Sequence, residues 1–96
     1  MEFEWDPIKD KANLEKHGID FDTAIRIWND LTVENVVELV SYDEVRIIAF
    51  GMIEGTVLAV VYTWRQTRRR IISARKAHKD ERRTYREMLA RGSPAH

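Results

Sequence analysis

Arginine is the side chain with the clearest chemical use in this sequence, and it is concentrated in the second half of the chain. Guanidinium groups bind phosphate through paired hydrogen bonds and stack on unpaired bases, which suits a single-stranded RNA ligand. Tyr62, Trp64 and Tyr85 add aromatic planes on which bases could stack. The basic residues are Arg65, Arg68, Arg69, Arg70, Arg75, Lys76, Lys79, Arg82, Arg83 and Arg86. They predict an RNA-binding surface; the alternative is a solvated face whose arginines pair with acids of the first half.

Glu81 is the acid with the most informative position. It follows Ala77 by four residues and precedes Tyr85 by four, which places it on the inward-leaning side of a predicted helix. A carboxylate there needs a partner, and Arg70 or Arg75 is the candidate. One interpretation is an ion pair that locks the helix to the sheet. The other is that the pair positions an arginine for phosphate, or that Glu81 itself moves a proton.

The histidines give no metal site. His17 ends the first predicted helix, where the helix dipole favours a protonated ring, so C-capping competes with a role in proton transfer. Three scattered histidines without cysteine have no metal-ligand spacing. The sequence also has no phosphate-binding glycine loop and no nucleophile-elbow serine. We therefore expect a reaction that needs neither a metal nor a cofactor.

The chain has no net charge, but its two halves carry opposite charges. Residues 1–44 contain four Lys/Arg against twelve Asp/Glu, and residues 45–96 contain twelve against four. Either part of the surface faces a polyanion, or the two halves neutralise each other in the fold.

The length of 96 residues allows one domain, which we expect over residues 1–91, followed by a mobile tail over residues 92–96. No apolar stretch is long enough to span a bilayer, and the N-terminus lacks the plan of a secretory signal. The sequence therefore predicts a cytoplasmic protein without disulfides.

Two helices are predicted before the arginine-rich region. Asp6 as N-cap, Pro7 at the first helical position and Gly18 as the stop define the first. The second covers about residues 22–28. The apolar positions of the second helix are Phe21, Ala24, Ile25 and Trp28.

Four strands are then predicted between residues 31 and 74, because β-branched residues dominate and turn residues interrupt them at 41–44, 53–55 and 66–68. The second to fourth strands cover residues 45–52, 56–65 and 69–75. Short links between them demand antiparallel pairing. A last helix over about residues 78–90 stops at Gly92. Its inward residues are Ala77, Tyr85, Met88 and Leu89. The predicted fold is α+β, in the order ααββββα, with a four-stranded antiparallel meander.

Strand geometry limits how the arginines combine. The third strand is apolar on both faces, so either helices cover both or one face is partly open to a ligand; we favour the open face. If the last hairpin turns at Thr67, Arg65 lies opposite Arg69, and Arg75 lies about 20 Å away. A register shifted by one residue would instead put Arg70 on the face of Arg65.

Two blocks of sequence resemble one known family. The first comprises Trp5-Asp6-Pro7, Lys9, Asn13, Lys16-His17-Gly18, Phe21 and Ala24. The second comprises Gly51, Val60-Val61-Tyr62-Thr63, Arg65, residues 70–77, Glu81-Arg82 and Tyr85. Together they span residues 5–85 and resemble the BrnT family. Asp43-Glu44 departs from the Gly-Glu that members often carry, which affects only the turn there.

The resemblance implies a RelE-like fold and a ribonuclease toxin of a type II toxin–antitoxin system. Its partner would be a BrnA-type antitoxin with a ribbon-helix-helix module, operator DNA would be bound only through that complex, and no membrane would be involved. Metal-independent cleavage uses the 2′-hydroxyl as nucleophile, and cations stabilise the phosphate.

The hypothesis assigns roles to nine residues. Arg65 and Arg75 stabilise the phosphate, with Arg70 in reserve. Glu81 serves as base and positioner, and Tyr85 or His17 assists proton transfer. The RNA-binding residues are Arg69, Arg70, Lys76 and Arg82. Two rivals stay open, namely a non-catalytic nucleic-acid-binding module and a subunit that serves only a protein partner.

Overall fold

A computed structural model describes residues 1–41 and 44–92 as one five-stranded sheet with helices on it. The elements in chain order are β1 (Glu2–Trp5), α1 (Pro7–His17), α2 (Phe21–Ala24), a 3₁₀ helix (Ile25–Asn29), β2 (Val33–Ser41), β3 (Glu44–Ile53), β4 (Thr56–Arg65), β5 (Arg68–Lys76) and α3 (Lys79–Arg91). The strand order across the sheet is β1-β5-β4-β3-β2. Strands β2 to β5 form an antiparallel meander, and β1 lies parallel to β5.

The predicted α+β class and the four-stranded meander are confirmed, but the predicted order ααββββα was wrong because it lacks β1. This strand has only four residues, and Phe3 and Trp5 give too short an alternation to reveal it. Its partner lies far along the chain, since Glu2 pairs with Arg68. Such a non-local pairing leaves no local sequence signal.

The ends of α1 follow the predicted capping residues. The Asp6 side chain accepts a hydrogen bond from the Ile8 amide at 2.9 Å, and Pro7 occupies the first helical position. Gly18 adopts a left-handed φ of 72°, and its amide donates to the Leu14 carbonyl at 2.8 Å. A residue with a Cβ would be strained at that φ, so the glycine fixes where the helix ends.

The second predicted helix is two shorter pieces. Four residues of α2 lead directly into the 3₁₀ helix, so the predicted single helix over residues 22–28 was wrong in its type. The tighter winding of a 3₁₀ helix turns Ile27 fully into the core, a position that α-helical spacing did not indicate. The predicted inward residues Phe21, Ala24, Ile25 and Trp28 all belong to or pack on that core.

The two hairpin turns that the structure describes use residues with positive φ. Glu54 and Gly55 link β3 to β4 with φ of 49° and 83°, which confirms the turn predicted at residues 53–55. Gln66, with φ of 57°, begins the two-residue turn between β4 and β5. Of the turn predicted at residues 41–44, residues 42 and 43 lie outside the described part of the chain. Residues 93–96 of the predicted tail also lie outside it.

The register between β4 and β5 differs from the predicted one in two ways. Arg65 pairs with Arg68 rather than with Arg69, because the turn contains two residues and not three. A bulge at Ile72 then adds one residue to β5 between the pairs Tyr62–Ile71 and Val61–Ser73.

The shorter turn brings Arg70 onto the face of Arg65, since each shift by one residue exchanges the faces of a strand. The bulge exchanges the faces once more, so Arg75, which pairs with Ala59, also lies on that face. The sequence left open which of the two arginines shares a face with Arg65, and the structure places both there.

The helices divide unevenly between the two faces of the sheet. Helices α1 and α2 and the 3₁₀ helix cover one face of the sheet, which we call the α1–α2 side. The larger core lies there, with Phe21, Ile27, Val60, Tyr62 and Ile71 fully buried. No helix among the described residues is long and apolar enough to cross a membrane.

On the other face α3 packs at one end only, where Tyr85 contacts the cluster around Val57 and Phe50. Met88, predicted to face inward, is 44% exposed, because α3 reaches the sheet through Tyr85 and Leu89 instead. Beyond α3, Ile48, Val61 and other residues of this face are only partly buried. We call this side of the sheet the open face.

Candidate active site

The centre of the candidate site is an ion pair between β5 and the first turn of α3. Arg75 Nη1 and Nη2 donate to the two carboxylate oxygens of Glu81 at 2.8 and 2.9 Å. Glu81 was predicted to pair with Arg70 or Arg75, and the pairing with Arg75 is confirmed. Both side chains keep about a quarter of their surface exposed (29% and 25%), so the guanidinium is fixed in direction without being closed off from a ligand.

Glu81 is held ionised by its surroundings. Hydrogen bonds from Arg75 lower the pKa of Glu81 to about 2, against the opposing effect of partial burial. The His78 amide adds a hydrogen bond of 2.7 Å as part of a capping box at the start of α3. A general base works best with a pKa near the working pH, so this geometry favours Glu81 as the residue that positions Arg75.

The low pKa of Glu81 predicts a loss of stability in acid. A carboxyl whose pKa is depressed in the folded state stabilises the fold above its ordinary pKa of 4.5, and the contribution is lost as the pH falls towards about 2. We expect this group to account for about 2 kcal/mol of the free energy of unfolding after allowance for solvent screening.

Urea unfolding of the natural chain and of Glu81→Gln at several pH values checks the contribution. The natural chain should lose more stability than the variant between about pH 5 and about pH 2. Parallel losses in the two proteins would show that Glu81 does not carry the effect.

Three of the predicted arginines lie along the open face. Arg65 stands next to the β4–β5 turn and is exposed, Arg70 pairs with Thr63, and Arg75 pairs with Ala59. The Cα atoms of Arg70 and Arg75 are therefore about 13 Å apart, and those of Arg65 and Arg75 about 20 Å. The three side chains can contact successive phosphates of an extended strand, but they cannot converge on one phosphate.

Part of the charge difference between the two halves of the chain is neutralised inside the fold. Arg70 donates a hydrogen bond to Glu4 of β1, and Arg68 lies 3.5 Å from Glu2 and 3.6 Å from Glu4. The Arg70 hydrogen bond is the main cause that lowers the pKa of Glu4. The predicted alternative, in which the acidic half of the chain neutralises the basic half, therefore holds at the β1 edge of the sheet. Arg75 differs, because its partner Glu81 belongs to the same half of the chain.

Arg69 lies on the opposite face from Arg75. Its Cζ atom is 5.0, 5.3 and 4.6 Å from the ring centroids of Trp28, Tyr62 and Trp64. Such cation–π contacts hold the guanidinium among three rings. The alternation along β5 thus separates Arg69 from the arginines of the open face.

The other two predicted RNA-binding residues lie near the two ends of the β5–α3 connection. Lys76 is exposed and pairs with Leu58 on the α1–α2 side. Arg82 of α3 donates to the Ala77 carbonyl at 2.9 Å. Together with Lys79 and Arg86 it lines a basic groove on the outer surface of α3.

Two of the three aromatic residues that the sequence offered for base stacking are buried. Tyr62 is 2% exposed and its hydroxyl donates to Glu34; burial and then this hydrogen bond raise the pKa of Tyr62 to about 12. Tyr85 is 3% exposed, its hydroxyl donates to the Leu31 carbonyl at 3.2 Å, and burial raises its pKa. Of the three, only Trp64 is exposed, at 45%; it lies on the α1–α2 side, where Arg69 already contacts its ring.

His17 does not join the Arg75–Glu81 pair. It lies in the last turn of α1, on the side of the sheet opposite the open face. Within residues 1–41 and 44–92, no hydrogen bond or ion pair links His17 to either member of the pair. The described part of the chain also contains no group of three His, Cys, Asp or Glu side chains that could hold a metal ion.

Two residues that shape this region were not among the predicted site residues. Arg46 of β3 pairs with Thr63 and so extends the row of Arg70 across the open face. Only the strand register could have revealed it. Asn13 of α1 is 7% exposed and hydrogen-bonds both backbone groups of Ala74, the residue before Arg75. For Asn13, the signal available in the sequence was a polar residue on the inner side of an amphipathic helix.

Comparison with known proteins identifies the family. The family model for the ribonuclease toxin, BrnT, of type II toxin–antitoxin systems matches residues 5–81, which include Arg75 and Glu81. The chain belongs to this family. No curated protein matches the chain. A BrnT toxin acts on RNA and, as a type II toxin, has a protein antitoxin as partner. The resemblance drawn from the two sequence blocks is thereby confirmed.

Proposed function

We propose that this BrnT toxin is an endoribonuclease that needs no metal ion and cleaves RNA on the open face beside Arg75. The observation that carries the proposal is the two-point hydrogen bonding of Arg75 by Glu81, at the border between the open face and α3. A cation whose direction is fixed before the ligand arrives can stabilise charge that develops on a phosphate without reorganising.

The proposed reaction uses the RNA itself as nucleophile. The 2′-oxygen forms a bond to the neighbouring phosphorus, and the bond from phosphorus to the 5′-oxygen breaks. Water accepts the 2′-proton, and the departing 5′-oxygen takes up a proton from water. Arg75 stabilises the negative charge of the pentacoordinate phosphate, and Glu81 positions Arg75. Arg70 and Arg65 hold neighbouring phosphates. Tyr85 and His17 have no part in this proposal, because one is buried and the other lies across the sheet.

The proposed partner is a BrnA-type antitoxin. Strand β2 forms an unpaired edge of the sheet, and Val36, Val37 and Leu39 on it are 69%, 57% and 67% exposed. An exposed apolar edge strand is an aggregation hazard unless a partner covers it. An open arginine-bearing sheet with helices behind it also supports the RelE-like class. The proposal places the protein in the cytoplasm, where its RNA substrate occurs.

The test is incubation of the purified, antitoxin-free chain with naked RNA in EDTA. We expect cleavage that leaves 2′,3′-cyclic phosphate ends, and no cleavage of 2′-O-methyl RNA, which lacks the nucleophile. Activity that appears only when Mg²⁺ is restored would contradict metal independence.

Two other outcomes would favour the rival functions. Binding of RNA without cleavage, on naked RNA and on translating ribosomes alike, would favour a non-catalytic binding module. Absence of RNA binding would favour a subunit that serves only its protein partner.

A further inference from the structure

A cavity of about 180 Å³ lies between α3 and the strands β2 and β3, directly beside the Arg75–Glu81 pair. Val33, Phe50 and Tyr85 form its apolar part, while Asn35, Asp80 and Thr84 supply polar groups. Glu81 also lines it, so a single carboxylate joins the cavity to Arg75. Apolar walls with a few polar groups are typical of sites for small organic groups, including flat bases.

The charges around the cavity decide which part of a nucleotide fits there. Asp80 and Glu81 are acidic, and none of the described lining residues is basic. A phosphate inside the cavity would meet two carboxylates, whereas Arg75 offers it a cation just outside. The arrangement therefore matches a nucleotide whose phosphate lies at Arg75 and whose base enters the cavity.

We propose that this cavity binds one nucleobase of the RNA strand and prefers a base that carries an amino group. The proposal rests on the proposed function for the position of the phosphate. It adds a site for the base and the residue that selects it.

The preference follows from the hydrogen-bonding capacity of Asp80. An ionised carboxylate only accepts hydrogen bonds, so it matches the amino group of cytosine and not the carbonyl oxygen that uracil carries at the same position. Arg83 donates to Oδ1 of Asp80 at 3.1 Å, which leaves Oδ2 for a base. The backbone of Asn35 pairs with β3, but its side chain makes no hydrogen bond to another described residue, so the side-chain amide can serve either base.

The experiment measures binding without cleavage. Short fluorescent 2′-O-methyl oligo(C) and oligo(U) lack the nucleophile, carry the same number of phosphates and differ at the base. We expect the natural chain to bind oligo(C) about fivefold more tightly than oligo(U), the lower end of what one base contact supplies. Comparison of the two dissociation constants within each protein removes the effect of the phosphates.

Two variants locate the preference. Asp80→Asn keeps the size of the side chain but adds a donor, and Thr84→Phe fills the cavity from the exposed side of α3; both should bring the two affinities within about twofold. Asp22→Asn, at an exposed aspartate of α2, makes the same chemical change away from the cavity and should keep the full preference.

The outcomes separate the two proposals. Equal binding of oligo(C) and oligo(U) by the natural chain, no binding of either, or a full preference in both variants would overturn the nucleobase site. Base-selective binding by a chain that fails to cleave unmodified RNA would instead overturn the proposed function and leave the site standing.

Discussion

Replacing Arg75 by alanine is expected to lower the rate of RNA cleavage by at least about 100-fold. Removing one preorganised donor from a site where negative charge develops costs about this much. The affinity for 2′-O-methyl RNA should fall far less, because Arg65 and Arg70 remain on the open face. Single-turnover cleavage of a labelled RNA gives the rate, and fluorescence anisotropy gives the affinity.

A matched control for this variant is Arg26→Ala. Arg26 also pairs with a glutamate, but its side chain is more exposed than that of Arg75 (48% against 29%), and it faces Glu54 at the β3–β4 turn, on the α1–α2 side. The control loses the same charge and should keep its cleavage rate. Thermal unfolding confirms that both variants fold. Full activity of a folded Arg75→Ala protein would remove Arg75 from the reaction.

Two conservative changes separate the charge of Arg75 from its direction. Lysine keeps the positive charge but cannot make the two-point contact with Glu81, so Arg75→Lys should retain only a fraction of the rate. Glu81→Gln keeps Arg75 but weakens the hydrogen bonds that fix the direction of its guanidinium. If Glu81 acts through Arg75, this variant should lower kcat with little change in KM, because the loss appears only when charge develops on the phosphate.

Local signals predicted the parts of the fold that local physics determines. Asp6, Pro7 and Gly18 define α1 because caps depend on the backbone needs of a single helix end. The meander was predictable because short links leave antiparallel pairing as the only option. Strand β1 and the 3₁₀ helix were not predictable in this way. Strand β1 depends on a partner that is distant in the sequence, and the 3₁₀ helix depends on how Ile27 packs.

The candidate site depended on register more than on residue type. Composition identified the arginines, and helix periodicity identified Glu81 as the acid in need of a partner. Whether Arg65, Arg70 and Arg75 share a face depends on a two-residue turn and a bulge at Ile72. Neither has a residue signal strong enough to fix it, because a bulge without glycine, such as the one at Ile72, does not require a particular residue type.

Residue type also misled where burial was decisive. Tyr62 and Tyr85 have the chemistry to stack on bases, yet both use their rings in the cores and their hydroxyls within the protein. Arg69 has the same side chain as Arg70, its neighbour in sequence, but alternation along β5 places it among aromatic rings. The candidate functional residues of a strand are therefore divided between its two faces, and the sequence alone does not show which face is buried.

Replacing Asn13 by alanine is expected to lower the free energy of unfolding by about 3 kcal/mol. The Asn13 amide donates to the carbonyls of Ile19 and Ala74 at 2.8 and 2.9 Å and accepts from the Ala74 amide at 3.1 Å. Strand β1 pairs with β5 only as far as Ile71. Beyond that residue, at Ala74, the side chain of Asn13 takes the place of a neighbouring strand as hydrogen-bonding partner. Alanine would leave buried backbone groups without partners, and each such group costs about 1–3 kcal/mol.

Asn13→Asp distinguishes hydrogen bonding from packing, because it keeps the shape of the side chain. The carboxylate still accepts from the Ala74 amide but faces two carbonyl oxygens with no donor, so this variant should be at least as unstable as Asn13→Ala. Asn29→Ala, at an exposed asparagine, should change the stability by less than about 0.5 kcal/mol. Urea unfolding of the three variants measures the differences. Since Ala74 directly precedes Arg75, a loss below about 1 kcal/mol in Asn13→Ala would mean that α1 does not hold the strand that carries the proposed catalytic arginine.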